Sequence, residues 1–118
     1  MRKKDEANAL IEICPVRNVI ARFGNKWGLL VLLIISEERT IRFNSLSKAI
    51  PDISPKILST TLKTLETDGF VHREQFAEIP PRVEYSLTEM GQSVIPIIKT
   101  LTAWAEEHKA QIIENRNN

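Results

Sequence analysis

The hydrophobic pattern of this chain switches period along its length, and the switches mark its elements. From Ser54 to Gly69, Leu58, Thr61, Leu62 and Leu65 recur at helical spacing, while Lys56, Ser59, Thr60, Lys63, Thr64 and Thr67 fall on the opposite side. Ser54 can cap the first free amides, Pro55 suits the first helical position, and Gly69 can adopt the left-handed conformation that ends a helix. The stretch reads as a helix of about four turns. Upstream, Val16, Val19, Ile20 and Phe23 predict a short helix that begins at Pro15 and stops at Gly24. Asn25 can cap the next helix, Lys26 to Ser36, in which Trp27 and Leu29 to Ile35 are apolar on all sides. A helix without a wet face must be surrounded, so it is expected at the centre of the core. Ile41 to Phe43 suits a brief strand. Asn44 to Ile50 suits a short helix with Leu46, Ala49 and Ile50 inward, stopped by Pro51.

After Gly69 the period falls to two. Val71 to Phe76 and Arg82 to Leu87 predict a β-hairpin, with Val83, Tyr85 and Leu87 alternating against Arg82, Glu84 and Ser86. Pro80 and Pro81 stiffen its tip. From Thr88 to about Ile113 the helical period returns. Met90, Val94, Ile97, Ile98, Leu101, Trp104 and Ala105 lie in one broad stripe, with Pro96 expected to bend or divide the helix. A short helix, a turn at Pro51 to Ile53, a longer polar-faced helix and then a hairpin make a winged helix-turn-helix. The predicted class is α+β, mostly helical, with additional N- and C-terminal dimerisation helices.

Composition narrows the function. At 118 residues and 42% hydrophobic the chain suits a single domain with a small core. Its net charge of +1 hides an uneven distribution. Between Arg39 and Lys63, Arg39, Arg42, Lys48, Lys56 and Lys63 face the single acid Asp52; between Glu84 and Glu114, five glutamates outnumber Lys99 and Lys109. The polar side of the Ser54–Gly69 helix carries lysines and hydroxyls without a carboxylate, the composition that suits phosphates and base edges. Catalytic readings lack parts. His72 and His108 have no partner pattern, the single cysteine is Cys14, and no Gly-rich phosphate loop is present, so neither an enzyme nor a metal or cofactor site is expected. The longest apolar run, Leu29 to Ile35, is far short of the roughly 20 residues that span a bilayer. No signal-peptide core follows the charged N-terminus, so a cytoplasmic location without membrane contact is expected.

In order, Cys14-Pro15-Val16, Gly24-Asn25-Lys26-Trp27, Arg42-Phe43, Ile53-Ser54-Pro55-Lys56, Leu65-Glu66-Thr67-Asp68-Gly69, Pro80-Pro81-Arg82-Val83-Glu84-Tyr85-Ser86-Leu87-Thr88 and Trp104 resemble the HxlR-type family of bacterial winged-helix transcriptional regulators. The chain departs from the family at Phe76-Ala77, where members often carry Tyr-Pro. The resemblance implies a homodimer that binds double-stranded operator DNA and answers oxidants, electrophiles or a small-molecule effector.

With that resemblance, the DNA-binding residues are expected to be Arg42, Asn44, Ser54, Pro55, Lys56, Ser59, Thr60, Lys63, Thr64, Arg73, Gln75 and Arg82. The dimer surface is expected to use Val16, Val19, Ile20, Ile97, Leu101, Trp104 and His108. Cys14 is the redox-sensing candidate. It lies at a helix N-terminus, whose dipole favours negative charge, with Arg17 three residues on. The expected organisation is an N-terminal arm at 1–12, the winged domain at 13–108, and the end of the last helix with its tail at 109–118. The alternative is a winged-helix protein-interaction module without DNA binding.

Overall fold

The molecule is assembled around α2 (Lys26–Glu38), the helix of near-continuous apolar sequence. The structure, a computed structural model, describes residues 14–118, so the expected arm at 1–12 lies outside the described residues. Before α2, α1 (Val16–Phe23) opens with a wide π-helical turn at Val16–Ile20 and ends in one α-helical turn. Then follow β1 (Thr40–Arg42), α3 (Phe43–Ala49), α4 (Pro55–Thr67), β2 (Val71–Phe76), β3 (Arg82–Leu87) and α5 (Glu89–Arg116). The class is α+β and mostly helical, a winged helix-turn-helix with flanking helices.

Local chemistry explains most boundaries. The Asn25 side chain accepts from the Gly28 amide at 2.8 Å, and the Ser54 hydroxyl accepts from the Ile57 amide at 3.1 Å. Gly69 has a φ of 87°, and the amides of Gly69 and Phe70 close back on the carbonyls of Glu66 and Leu65. Those two bonds form the Schellman motif, which satisfies the orphan carbonyls at the end of α4.

α2 buries Val31, Leu32 and Ile35 completely, against Leu58, Leu62 and Leu65 of α4, Val94, Ile95 and Ile98 of α5, and Ile41 and Tyr85 of the sheet. It is not surrounded everywhere, because Leu30 remains exposed. It also runs past Ser36 to Glu38, where the Arg39 amide donates to the Ile35 carbonyl at 2.9 Å. The strands order β1-β3-β2, all antiparallel, with Ile41 opposite Tyr85 and Tyr85 opposite Arg73.

Two expectations are corrected. Ala49 is exposed rather than inward, since Leu46 and Ile50 already fill the inner side of the short α3. α5 passes through Pro96 undivided. Pro96 and Gln92, one turn back, are both exposed. The ring and the carbonyl that loses its helical donor therefore sit on the wet side, where a proline disturbs a helix least.

α5 is pinned at its start. The Thr88 hydroxyl accepts from the Gly91 amide at 3.0 Å and donates to the Gly69 carbonyl at 2.5 Å, while the Thr88 amide donates to the Phe70 carbonyl at 3.1 Å. A Cβ on Gly91 would lie 2.1 Å from the Phe70 oxygen, whereas one on Gly69 would meet only the flexible end of Met90 at 3.4 Å. Gly91→Ala is therefore expected to destabilise by about 3 kcal/mol, the upper end of overpacking costs. Gly69→Ala should lose about 1 kcal/mol through its left-handed backbone alone, and Gly69→Asn should lose less. Urea unfolding of the three variants measures this order; a Gly91→Ala protein as stable as its parent would remove the close approach from the account.

Candidate nucleic-acid interface

The sequence builds the helix-turn-helix by burying its turn. Ile50 and Ile53, either side of the Pro51–Asp52 corner, are buried, and the Ile53 amide donates to the Ile50 carbonyl at 3.2 Å. α4 follows with Leu58, Leu62 and Leu65 inward. Lys56, Ser59, Thr60, Lys63 and Thr67 are exposed on its outer side, and Thr64 is half-buried. Ser54 and Pro55 are exposed too, but the Ser54 oxygen is already engaged as the helix cap. The Thr60 hydroxyl donates to the Lys56 carbonyl at 2.9 Å, which leaves its oxygen lone pairs outward as acceptors.

Strand register sorts the wing residues. Along β3, Val83, Tyr85 and Leu87 share one face, and their cross-strand partners are Gln75, Arg73 and Val71. Tyr85 and Val71 are buried, so Arg73 and Gln75 lie on the sheet face that turns toward the core and α4, further out along the hairpin. A shallow groove is lined by Ser59, Lys63 and Glu66 of α4 together with Arg73 and Tyr85. Arg82 lies on the opposite face. Its guanidinium is 4.0 Å from the Phe76 ring centroid and pairs with Glu78 at 3.3 Å and Glu84 at 3.4 Å. The second contact is a charge contact only, because its Nε is enclosed without a well-directed hydrogen bond.

Ser59, Lys63 and Arg73 are thus brought together, with Lys56 and Thr60 continuing the same helix face. Arg42 and Asn44, at the start of α3, are exposed but are not part of this groove. Arg42 lines a separate cleft with Glu38 and Glu84. Two residues were missed by reading the sequence. Glu66, two turns on from Ser59 along the same side of the helix, adds a carboxylate to the groove that Lys63 and Arg73 line. Ile57, 42% exposed, borders Thr64 at the other edge. Helical spacing alone carries both signals, since each lies next to the polar positions around the helix.

α1 is latched to the end of α4. The Arg22 guanidinium donates to Asp68 through two nitrogens, Nη2 at 2.9 Å, and these hydrogen bonds push the Arg22 pKa up. The rings of Phe23 and Phe70 lie 5.0 Å apart beside it. Cys14 is half-buried ahead of Pro15. The apolar stripe expected on α5 separates into two. Val94, Ile95 and Ile98 enter the core, whereas Ile97 (67%), Leu101 and Trp104 (54%) remain exposed, as do Val16 (70%) and Ile20 of α1. Val19 is half-buried, and His108 stacks on Trp104 with centroids 4.5 Å apart. Among the described residues, no single helix is long and apolar enough to cross a membrane.

Comparison with known proteins gives a consistent picture. A family model described as HxlR-like helix-turn-helix matches residues 22–113. An HTH-type transcriptional regulator of Methanothermobacter thermautotrophicus is 42% identical over 94 residues, 80% of this chain and 71% of the relative. The HTH-type transcriptional regulator YtfH of Escherichia coli is 37% identical over 112 residues, 95% of this chain and 88% of the relative. Among solved structures, the redox regulator HypR in its reduced form is similar with a TM-score of 0.79 and 34% identity, covering 86% of this chain and 99% of that one.

The groove sets an electrostatic expectation that requires no knowledge of a target sequence. Lys63→Ala should weaken retention on heparin or nonspecific duplex DNA and lower the salt slope by roughly 1 per protomer. Glu66→Gln should strengthen retention at the same salt. Salt-gradient elution of both variants tests the pair, and a Glu66→Gln protein that elutes with its parent would place the polyanion elsewhere.

Proposed function

Because the chain belongs to the HxlR-like helix-turn-helix family, we propose that this HTH-type transcriptional regulator binds a specific double-stranded operator as a homodimer in the cytoplasm, without catalysing a reaction. The observation that carries the reading is the outer side of α4, where Lys56, Ser59, Thr60 and Lys63 stand exposed and Arg73 extends the same basic surface onto the wing. In this reading α4 enters the major groove. Its N-terminal half offers hydroxyls for base edges, lysines for phosphates or guanine, and Ile57 for a thymine methyl. Arg73 and Gln75 follow the backbone beside the helix. Arg82 holds the tip segment through Glu78 and Phe76, and reaches phosphate only by giving up these half-buried contacts.

Dimerisation is supported by the exposed apolar residues of α1 and α5, too many large side chains to be scattered surface residues. A two-fold dimer spaces its two α4 helices about 34 Å apart, so the operator is an inverted repeat with half-sites about one turn apart. Leu101→Glu and Trp104→Glu, both outside the core, are expected to give monomers by sedimentation and to bind the operator at least tenfold more weakly. Arg73→Ala should weaken binding more than Arg82→Ala. Tight binding of a monomeric Leu101→Glu protein to a single half-site would refute the architecture.

Cys14 gives this regulator its redox input. The support is its half-buried place ahead of α1, the latch from α1 to Asp68 at the end of α4, and the similarity to HypR, a protein described as a redox regulator in both reduced and oxidised forms. As the only cysteine in the chain, it reacts by bonding to the partner's thiol, by a mixed disulfide or by an adduct. Diamide is expected to change operator affinity of the native protein and to leave Cys14→Ser unaffected; an equal response from both removes Cys14 from the mechanism.

A further inference from the structure

Separate from the α4 groove, a cleft of about 490 Å³ opens between the last turn of α2, the end of β3 and the first turns of α5. Its size falls within the range of small-molecule pockets. Leu87 and Pro96 form its accessible apolar wall, backed by the buried Ile35 and Ile95, and Arg39 is the single charged residue among those lining it. None of the expected DNA-binding or dimer residues lines it.

Arg39 sets the polar side of this cleft. Arg39 has φ 66° and ψ −58°, a backbone conformation that is rare and strained for a residue with a side chain. The sharp reversal from α2 into β1 places Arg39 in the lining, and among the described residues no carboxylate lies within ion-pair distance of its guanidinium. Glu38, its neighbour in sequence, lines the separate cleft beside Arg42 instead. Ser36, Ser86 and Gln92 supply the remaining polar groups of the lining. A cation with no carboxylate partner among the described residues and an apolar wall are thus found in one place.

We propose that this cleft binds a small organic carboxylate with a flat apolar body of one or two rings. The carboxylate pairs with the Arg39 guanidinium, whose planar fork suits two parallel hydrogen bonds. The body lies on Leu87 and Pro96, behind which Ile35 and Ile95 are packed. The occupant bridges α2, the wing strand β3 and α5, the three elements whose relative placement determines where the wing stands with respect to α5.

The test titrates the full chain with 2-naphthoate, 2-naphthamide and inorganic phosphate by isothermal calorimetry, in the absence of DNA, so that its outcome is independent of the regulatory reading. 2-Naphthoate is expected to bind, with 2-naphthamide and phosphate each at least tenfold weaker. Arg39→Gly, which suits the positive φ and should not lower the melting temperature of the free protein, should weaken 2-naphthoate at least tenfold, while Arg39→Lys recovers part of the loss. Gln92→Trp, on an exposed helical position, should fill the cleft and abolish binding while leaving the fold intact by circular dichroism. No binding of 2-naphthoate, equal binding of the amide, or undiminished binding by Arg39→Gly or Gln92→Trp would each overturn the proposal. Phosphate binding as tightly as 2-naphthoate would overturn it also, by showing that the apolar wall takes no part.

Discussion

Three consecutive residues, 68 to 70, tie the parts of this molecule together. Asp68 takes the guanidinium of α1, Gly69 reverses the chain in a conformation that side chains resist, and Phe70 closes α4 with its amide. The Phe70 carbonyl then receives the Thr88 amide and lies against Gly91, while its ring meets Phe23. α4, the wing and the two helices with exposed apolar faces are therefore referenced to one short turn. Most of these links are backbone groups or short side chains, which have little rotamer freedom to absorb a displacement. A movement of α1 or of the start of α5 is transmitted to the end of α4 rather than lost in flexible contacts.

The parts of the fold that were legible in the sequence are those with local causes. Ser54, Pro55 and Gly69 delimit α4 by capping chemistry, and alternation fixes β2 and β3 to the residue, because period two changes phase with every step. Pro96 misled because its local effect depends on which side of the helix meets solvent, a property of the tertiary packing. The single stripe read on α5 is two faces for the same reason: Ile97 and Ile98 are neighbours in sequence, yet one is exposed and the other buried. The candidate site was legible along α4 and ambiguous on the wing. Arg73 and Arg82 look equivalent in sequence, but the register with Tyr85 and Phe76 sends them to opposite faces. Arg22 and Asp68, 46 positions apart, carry no sequence signal of their pairing.

Charge is partitioned by the same sheet. On the outer face Arg42, Glu84 and Glu74 stand in one cross-strand row, with Arg82 against Glu84, so cations and carboxylates largely offset each other. On the face toward α4, Arg73 meets Lys63 with only Glu66 to oppose them. A near-neutral chain thereby presents a positive field in one direction, which favours encounter with a polyanion in a defined orientation over adhesion on all sides.

The length of α5 has a consequence for how the protein persists at low abundance. At 28 residues it is about 42 Å long, and beyond Ile98 none of its residues is buried in the single chain. About five turns thus rest on helical propensity and local contacts such as the Trp104–His108 stack and the Lys109–Glu106 pair, which barely sustain a helix of that length in water. In the proposed dimer those turns gain their packing from the partner, so ordering of α5 and association become one equilibrium, drawn by mass action. Diluted protomers would then lose the ordered end of α5 as they part, and unpaired chains would present a loosened terminus to proteases. Such a coupling sets a floor of copy number below which the regulator removes itself.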